Sequence, residues 1–236
     1  MNNRRLSQEA LKLIACVCML IDHFGYEIVP ELSIPCVKEV YYLCRIVGRM
    51  AFPIYCFLLV EGMHYTRNPY KYILRLALCF FITELPYDYC FEGMIDWNYQ
   101  NVMSTLTLGA IMVLCMQKLN NHWLKVLIII PFVLLADLCR GDYGGSGILL
   151  IAVFALMEQP VQQLLGVLVV NMLTGNLKIS VLNQSFPLQP LAALAMIPIS
   201  CYSGQKTTRS RAVQWGFYLF YPGHLLLLWA ISGLIR

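Results

Sequence analysis

Four residues that could do chemistry sit where an apolar chain has little reason to carry them. Asp22 and His23 close the run MLIDHFG, and Arg45 and Arg49 lie four apart within YYLCRIVGRMAFPIYCFLLVEG. A histidine titrates near neutral pH, so His23 can take a proton from an attacking amine or hydroxyl. Arginines at i and i+4 share one helix face, so both guanidinium groups lie on the same side. Asp22 does not orient His23 by adjacency, because successive helical residues project about 100° apart. Its natural partner is Arg45 or Arg49. The plain alternative for His23 is a hydrogen-bonded interfacial histidine.

The elements that must position these residues are apolar spans. Of 236 residues, 59% are hydrophobic and 13% charged, against about 25% charged in ordinary soluble domains. Runs of roughly 17 to 25 apolar residues, each long enough to cross a hydrocarbon core of about 30 Å, account for nearly all the chain. The candidate spans are 8–29, 41–65, 70–86, 103–119, 122–139, 144–157, 161–182, 187–202 and 212–235. The expectation is an all-α, polytopic transmembrane helix bundle of about nine spans, with one integral-membrane domain over 1–236. The weakest are 144–157, which is short, and 161–182, where Gly175, Asn176 and Lys178 interrupt the pattern. Either could be re-entrant or broken. The start MNNRRLSQEALKLIACVCML has no small-x-small cleavage site and reads as an uncleaved first span. The ten cysteines form no CxxC pair and read as small buried hydrophobes.

Basic residues orient the spans, because short loops rich in Lys and Arg stay cytoplasmic. Arg4, Arg5 and Lys12 precede or open span one; Arg67, Lys71 and Arg75 follow span two; Lys118 and Lys125 follow span four; Lys206, Arg209 and Arg211 precede the last span. These are alternate loops, so the N-terminus is expected in the cytoplasm. Asp22, His23, Arg45 and Arg49 then fall in the outer half of the membrane and Glu61 near the inner end. An arginine at a bilayer centre costs about 2.5 to 3.5 kcal/mol on insertion scales, so such charge reads first as a functional site.

Other polar groups converge on the same outer half: Glu84 and Asp88; Asn101, Ser104 and Thr105; Asp137, Arg140, Asp142 and Tyr143; Tyr221 and His224. They imply an outward-facing polar cavity, although Asp88, Asp137, Arg140 and Asp142 also fit solvated loops. For His224 a structural and a catalytic role are equally open. The histidines have no zinc-site spacing, and the chain lacks a Walker A loop, a GxGxxG and a GxSxG elbow, so neither a metal nor nucleotide or nucleic-acid chemistry is expected. GDYGGSG, residues 141–147, reads as a tight turn.

LKLIACVCMLIDHFG, GRMAFPIYCFLLVEGMHYTRN, NVMSTLTLG, DYGGSG and FYLFYPGHLLLL, in that order, resemble the TraX family of conjugative pilin acetylases, from Leu11 to about Trp229. The resemblance implies a multi-pass protein of the bacterial cytoplasmic (inner) membrane. Its activity would be acyl transfer from a cytosolic acyl-CoA co-substrate, acetyl-CoA by default, to a small membrane protein or envelope acceptor on the other face. It implies catalytic roles for His23, Asp22 and Arg49. It also matches Asn101, Thr105, Tyr221 and His224, which with Arg45, Glu84 and Tyr143, read from their places in the spans, would form the acceptor cavity, and it matches Glu61, which with the basic residues Arg67 and Lys71 would bind the donor. The loop YSGQKTTRS is less glycine-rich than the family pattern, and Ser104 stands where a large apolar residue is common, which bears on the acceptor. Two other classes fit the same residues: a proton-coupled transporter, and a non-catalytic pilus or envelope assembly factor.

Overall fold

A computed structural model describes residues 6–175, 178–181, 184–205 and 210–236. Arg4, Arg5, Asn176, Lys206 and Arg209 lie outside the described residues. The described chain is predominantly helical.

Helix α1, Gln8–Glu27, starts where the Ser7 hydroxyl accepts from the Ala10 N–H at 3.2 Å. Helices α2, Val37–Gly48, and α3, Ala51–Tyr65, follow one line but are interrupted at Arg49 and Met50. Pro53 explains the interruption, since it has no N–H to offer the Arg49 carbonyl and its ring crowds that oxygen. Arg49 keeps its own N–H bond to the Arg45 carbonyl at 3.1 Å, so the break falls on its carbonyl side. Helix α4, Pro69–Phe91, is capped by Asn68, whose side chain accepts from the Lys71 N–H.

Helix α5 is Val102–Gln117, capped by Asn101. The short α6, His122–Leu127, leads into α7, Ile129–Leu138, and α8 is Gly144–Leu156, against an expected 144–157. The run expected over 161–182 is shorter: α9, Pro160–Thr174, ends before Gly175, and β1, Lys178–Val181, pairs antiparallel with β2, Gln184–Pro187. The glycine and polar interruption thus becomes a hairpin rather than a further turn of helix. The run over 187–202 divides into a 3-10 stretch, Gln189–Ala195, and α10, Met196–Ser200, before α11, Arg211–Ile235.

Among the described residues, three helical stretches are long and apolar enough to cross a membrane, Gln8–Glu31, Val37–Tyr65 and Ala212–Ile235. Helix α1 packs against α2, α3 and α11; α4 lies against α5 and α11; α8 contacts α3, α5, α7 and α9. Leu11, Ile54, Met112, Ile148 and Leu225 are fully buried between these layers. The close approach of α1 and α2 requires two glycines. A Cβ on Gly25 would overlap Cys44, and one on Gly48 would overlap the Asp22 carboxylate. Small residues at such crossings let backbones come near enough for polar groups to meet. Of the ten cysteines, all free, five are buried as expected, while Cys36, Cys139 and Cys201 are exposed.

Candidate functional site

The break between α2 and α3 faces Asp22 of α1. Arg49 Nη2 donates to Asp22 Oδ1 at 3.1 Å and Oδ2 at 2.9 Å, and Arg45 Nη1 donates to Oδ2 at 2.8 Å. Arg49 Nη1 also reaches Gln189 Oε1 at 3.2 Å. Asp22 therefore takes both arginines rather than one. Two guanidinium groups against one carboxylate leave a net positive charge, and no described group bonds either arginine Nε. A buried charge cluster of this kind is tolerable because each ion has a partner.

This cluster forms one wall of a cavity of about 380 Å³ that His23, Asp142, Tyr143 and Gln189 also line. Tyr143 is held by stacking on Phe52, with ring centroids 3.6 Å apart. Its loop is anchored where Asp137 Oδ1 accepts from the Gly145 N–H at 2.6 Å. Asp142 opens onto the cavity while protein surrounds it at longer range. Poor solvation pushes its carboxyl up to about 6; Arg49 and Arg45 oppose the shift and Asp22 adds to it. His23 Nδ1 lies 2.8 Å from Nε2 of His224, and the His23 ring meets Phe91 edge-on at 5.1 Å. His224 is buried on α11, its Nδ1 2.9 Å from the Phe220 carbonyl.

A second cavity, about 250 Å³, runs towards the start of α1 and is lined by Lys12, Tyr72, Arg75, Gln214, Tyr218 and Tyr221. Met19, Tyr55 and Val102 border both cavities, so they form the partition between them. Tyr55 is fixed there by a 3.2 Å contact between its hydroxyl and Cys16 Sγ.

Several expected residues lie elsewhere. Glu84, Asn101 and Thr105 do not line the first cavity. The Asn101 side chain donates to Glu84 and to the Phe80 carbonyl, tying the start of α5 to α4, while Thr105 packs beneath Gly141 and Gly147. Asn101 with Glu84 holds the helix ends together, the ordinary duty of a cap, whereas the Thr105 hydroxyl is buried with no hydrogen-bond partner among the described residues. Tyr221 lines the second cavity rather than the first. Glu61 is hydrogen-bonded by Tyr202 and borders neither cavity; Arg67 and Lys71 are exposed beside the second without lining it. Lys12 and Arg75, read from sequence only as signals of orientation, do line it. Gln189 and Tyr55 had no signal in the sequence, since neither type is unusual beside an apolar run. Among the described residues no group of histidine, cysteine, aspartate and glutamate side chains is disposed to hold a metal.

The family model described as "TraX protein" matches residues 7–232. The chain belongs to the TraX family. A relative in Dichelobacter nodosus, "Probable fimbrial assembly protein FimC, serogroup H1", is 28% identical over 240 residues, covering 92% of each chain. "Uncharacterized protein RP591" of Rickettsia prowazekii is 40% identical to this TraX-family chain over 55 residues, covering 23% of it and 18% of the relative. No solved structure matches the chain significantly. The match to the family spans both cavities, and with them Asp22, His23, Arg49 and His224.

Proposed function

We propose that this protein is an integral-membrane acyltransferase of the bacterial inner membrane, taking an acyl group, acetyl by default, from cytosolic acyl-CoA to an acceptor at the opposite face. The observation that carries this reading is the pair of cavities meeting end to end at Met19, Tyr55 and Val102, one bordered by Lys12 and Arg75 and the other by His23 and Arg49. Acyl-CoA has an anionic head and a long, narrow pantetheine arm. Lys12 and Arg75 beside the second cavity, which Glu9 also lines, suit the head, and the arm would pass Met19, Tyr55 and Val102 to reach His23.

The orientation rests on the Lys and Arg that the sequence places near the start of α1, between α3 and α4 and before α11, of which Lys12 and Arg75 line the second cavity. With those residues at the cytoplasmic face, the helices make about nine passes in alternating directions, counting α2 with α3, α6 with α7, and the 3-10 stretch with α10. In the reaction His23 accepts the proton of an acceptor N–H or O–H as that atom's lone pair attacks the thioester carbonyl. Arg49 and Arg45 stabilise the oxyanion. The C–S bond then breaks, and the proton returns from His23 to the departing sulfur, leaving acylated acceptor and free coenzyme A thiol.

A second reading is favoured by the name of the Dichelobacter relative: a non-catalytic factor in fimbrial assembly. The two separate on one experiment. Radiolabelled acetyl-CoA is mixed with inside-out membranes carrying wild-type or His23→Ala protein. Acyl transfer predicts label in a membrane-protein or envelope fraction only with wild type. Equal labelling, or none with a folded wild type, favours the assembly reading.

A further inference from the structure

His224 is tied to two partners whose chemistry leaves it one arrangement of protons. Its Nδ1 lies 2.9 Å from the Phe220 carbonyl. A carbonyl only accepts, so this nitrogen carries the hydrogen, and a neutral imidazole has only one N–H to place. Nε2 of His224 is therefore a bare acceptor. Nδ1 of His23 stands 2.8 Å from it and must donate. The remaining nitrogen of His23, Nε2 on the far side of the ring, keeps its lone pair.

We infer that His224 is a positioning residue, anchored to its own helix, that holds His23 in the Nδ1–H tautomer and leaves Nε2 as the base. What that base does rests on the acyl-transfer reading; the tautomer does not. Orienting partners of this kind decide which ring nitrogen is free to react. Asp22, the neighbour that might be expected to serve, has its oxygens occupied by Arg45 and Arg49. The rings have little freedom to exchange roles: His224 stacks on Phe220 with centroids 4.8 Å apart, and Phe91 meets His23 edge-on. When Nε2 takes a proton, the Nδ1–H bond to His224 persists and shares the imidazolium charge. The proton goes back to the departing sulfur, so none need leave the pair.

Nitrogen-15 NMR of histidine-labelled protein in nanodiscs reads the tautomer directly, with signals assigned by substitution at each of the four histidines. Wild type is expected to show His23 protonated at Nδ1 and bare at Nε2. His224→Phe keeps a flat ring but removes the acceptor, so the population moves towards the Nε2–H form. His224→Gln, whose carboxamide oxygen can accept at the same place, restores the first form. In native membranes, where an acceptor is present, thiol release from acetyl-CoA should fall on the order of 100-fold in a folded His224→Phe protein and recover in His224→Gln. His23 protonated at Nε2 in wild type, or a tautomer unmoved by His224→Phe, overturns the assignment. The expected tautomers in a wild type that releases no thiol would uphold it while removing the acyl-transfer reading.

Discussion

Arg49 and Asp22 are joined through both carboxylate oxygens, and Arg45 adds a bond to one of them at 2.8 Å. The cluster spans α1 and the break between α2 and α3, so it is both a fastening and a cavity wall. Removing the carboxylate leaves two guanidinium groups in a poorly solvated place without their counter-ion. Asp22→Leu should lower stability by about 3 kcal/mol or more, read as a fall in the melting temperature in detergent. An unchanged melt would mean that solvent or lipid headgroups already compensate the arginines.

Gly48 provides an independent handle on the same fastening. The Asp22 carboxylate occupies the space a Cβ would need there. Gly48→Ala, although favourable to helix by propensity, should destabilise the protein and lower activity with it. Gly233→Ala is the control, because nothing lies near that position.

The sequence made much of this legible for an identifiable reason. A charge inside an apolar run is costly, so Asp22, His23, Arg45 and Arg49 stood out, and pairing Asp22 with the arginines followed from helix geometry. Glu84, Asn101 and Thr105 stood out equally, but Asn101 caps α5 and ties it to Glu84 of α4, and Thr105 is buried against Gly141 and Gly147. A polar residue near a span end serves water, a cap or a cavity, and the chain alone does not separate the three. The helical span expected over 161–182 failed at Gly175, where a hairpin replaces further helix. Gln189 and Tyr55 matter through contacts far away in sequence, which no local pattern records.

The partition between the cavities makes a further prediction. Met19→Trp should thicken that partition while leaving the Lys12 and Arg75 end of the second cavity intact, so donor binding survives and transfer is lost. Arg75→Glu should do the reverse to binding, raising the acetyl-CoA Kd about 10-fold, equivalent to about 1.4 kcal/mol. Titration calorimetry and thiol release on the same preparations separate the two. Loss of binding in a folded Met19→Trp protein would contradict a donor site on the Lys12 and Arg75 side.

Asp142 gives a pH signature. Its carboxyl is raised from 3.8 to about 6 in the folded protein, so folding favours its protonated form. That contribution is complete below about pH 4 and is lost as pH rises through about 6. Between pH 4 and 7 the melting temperature of wild type should therefore fall relative to that of Asp142→Asn. Parallel curves would show that the carboxyl titrates alike in folded and unfolded chains.

The central claim is that His23 serves as base in a transfer that releases coenzyme A. Its most direct test is free-thiol release from acetyl-CoA by the protein in native membranes, where an acceptor is present to take the acyl group, followed over time for wild type and His23→Ala, with donor binding measured on both. The account predicts that both proteins bind the donor and only wild type releases thiol at an appreciable rate. Equal release by the two proteins, or no donor binding by folded wild type, would contradict it.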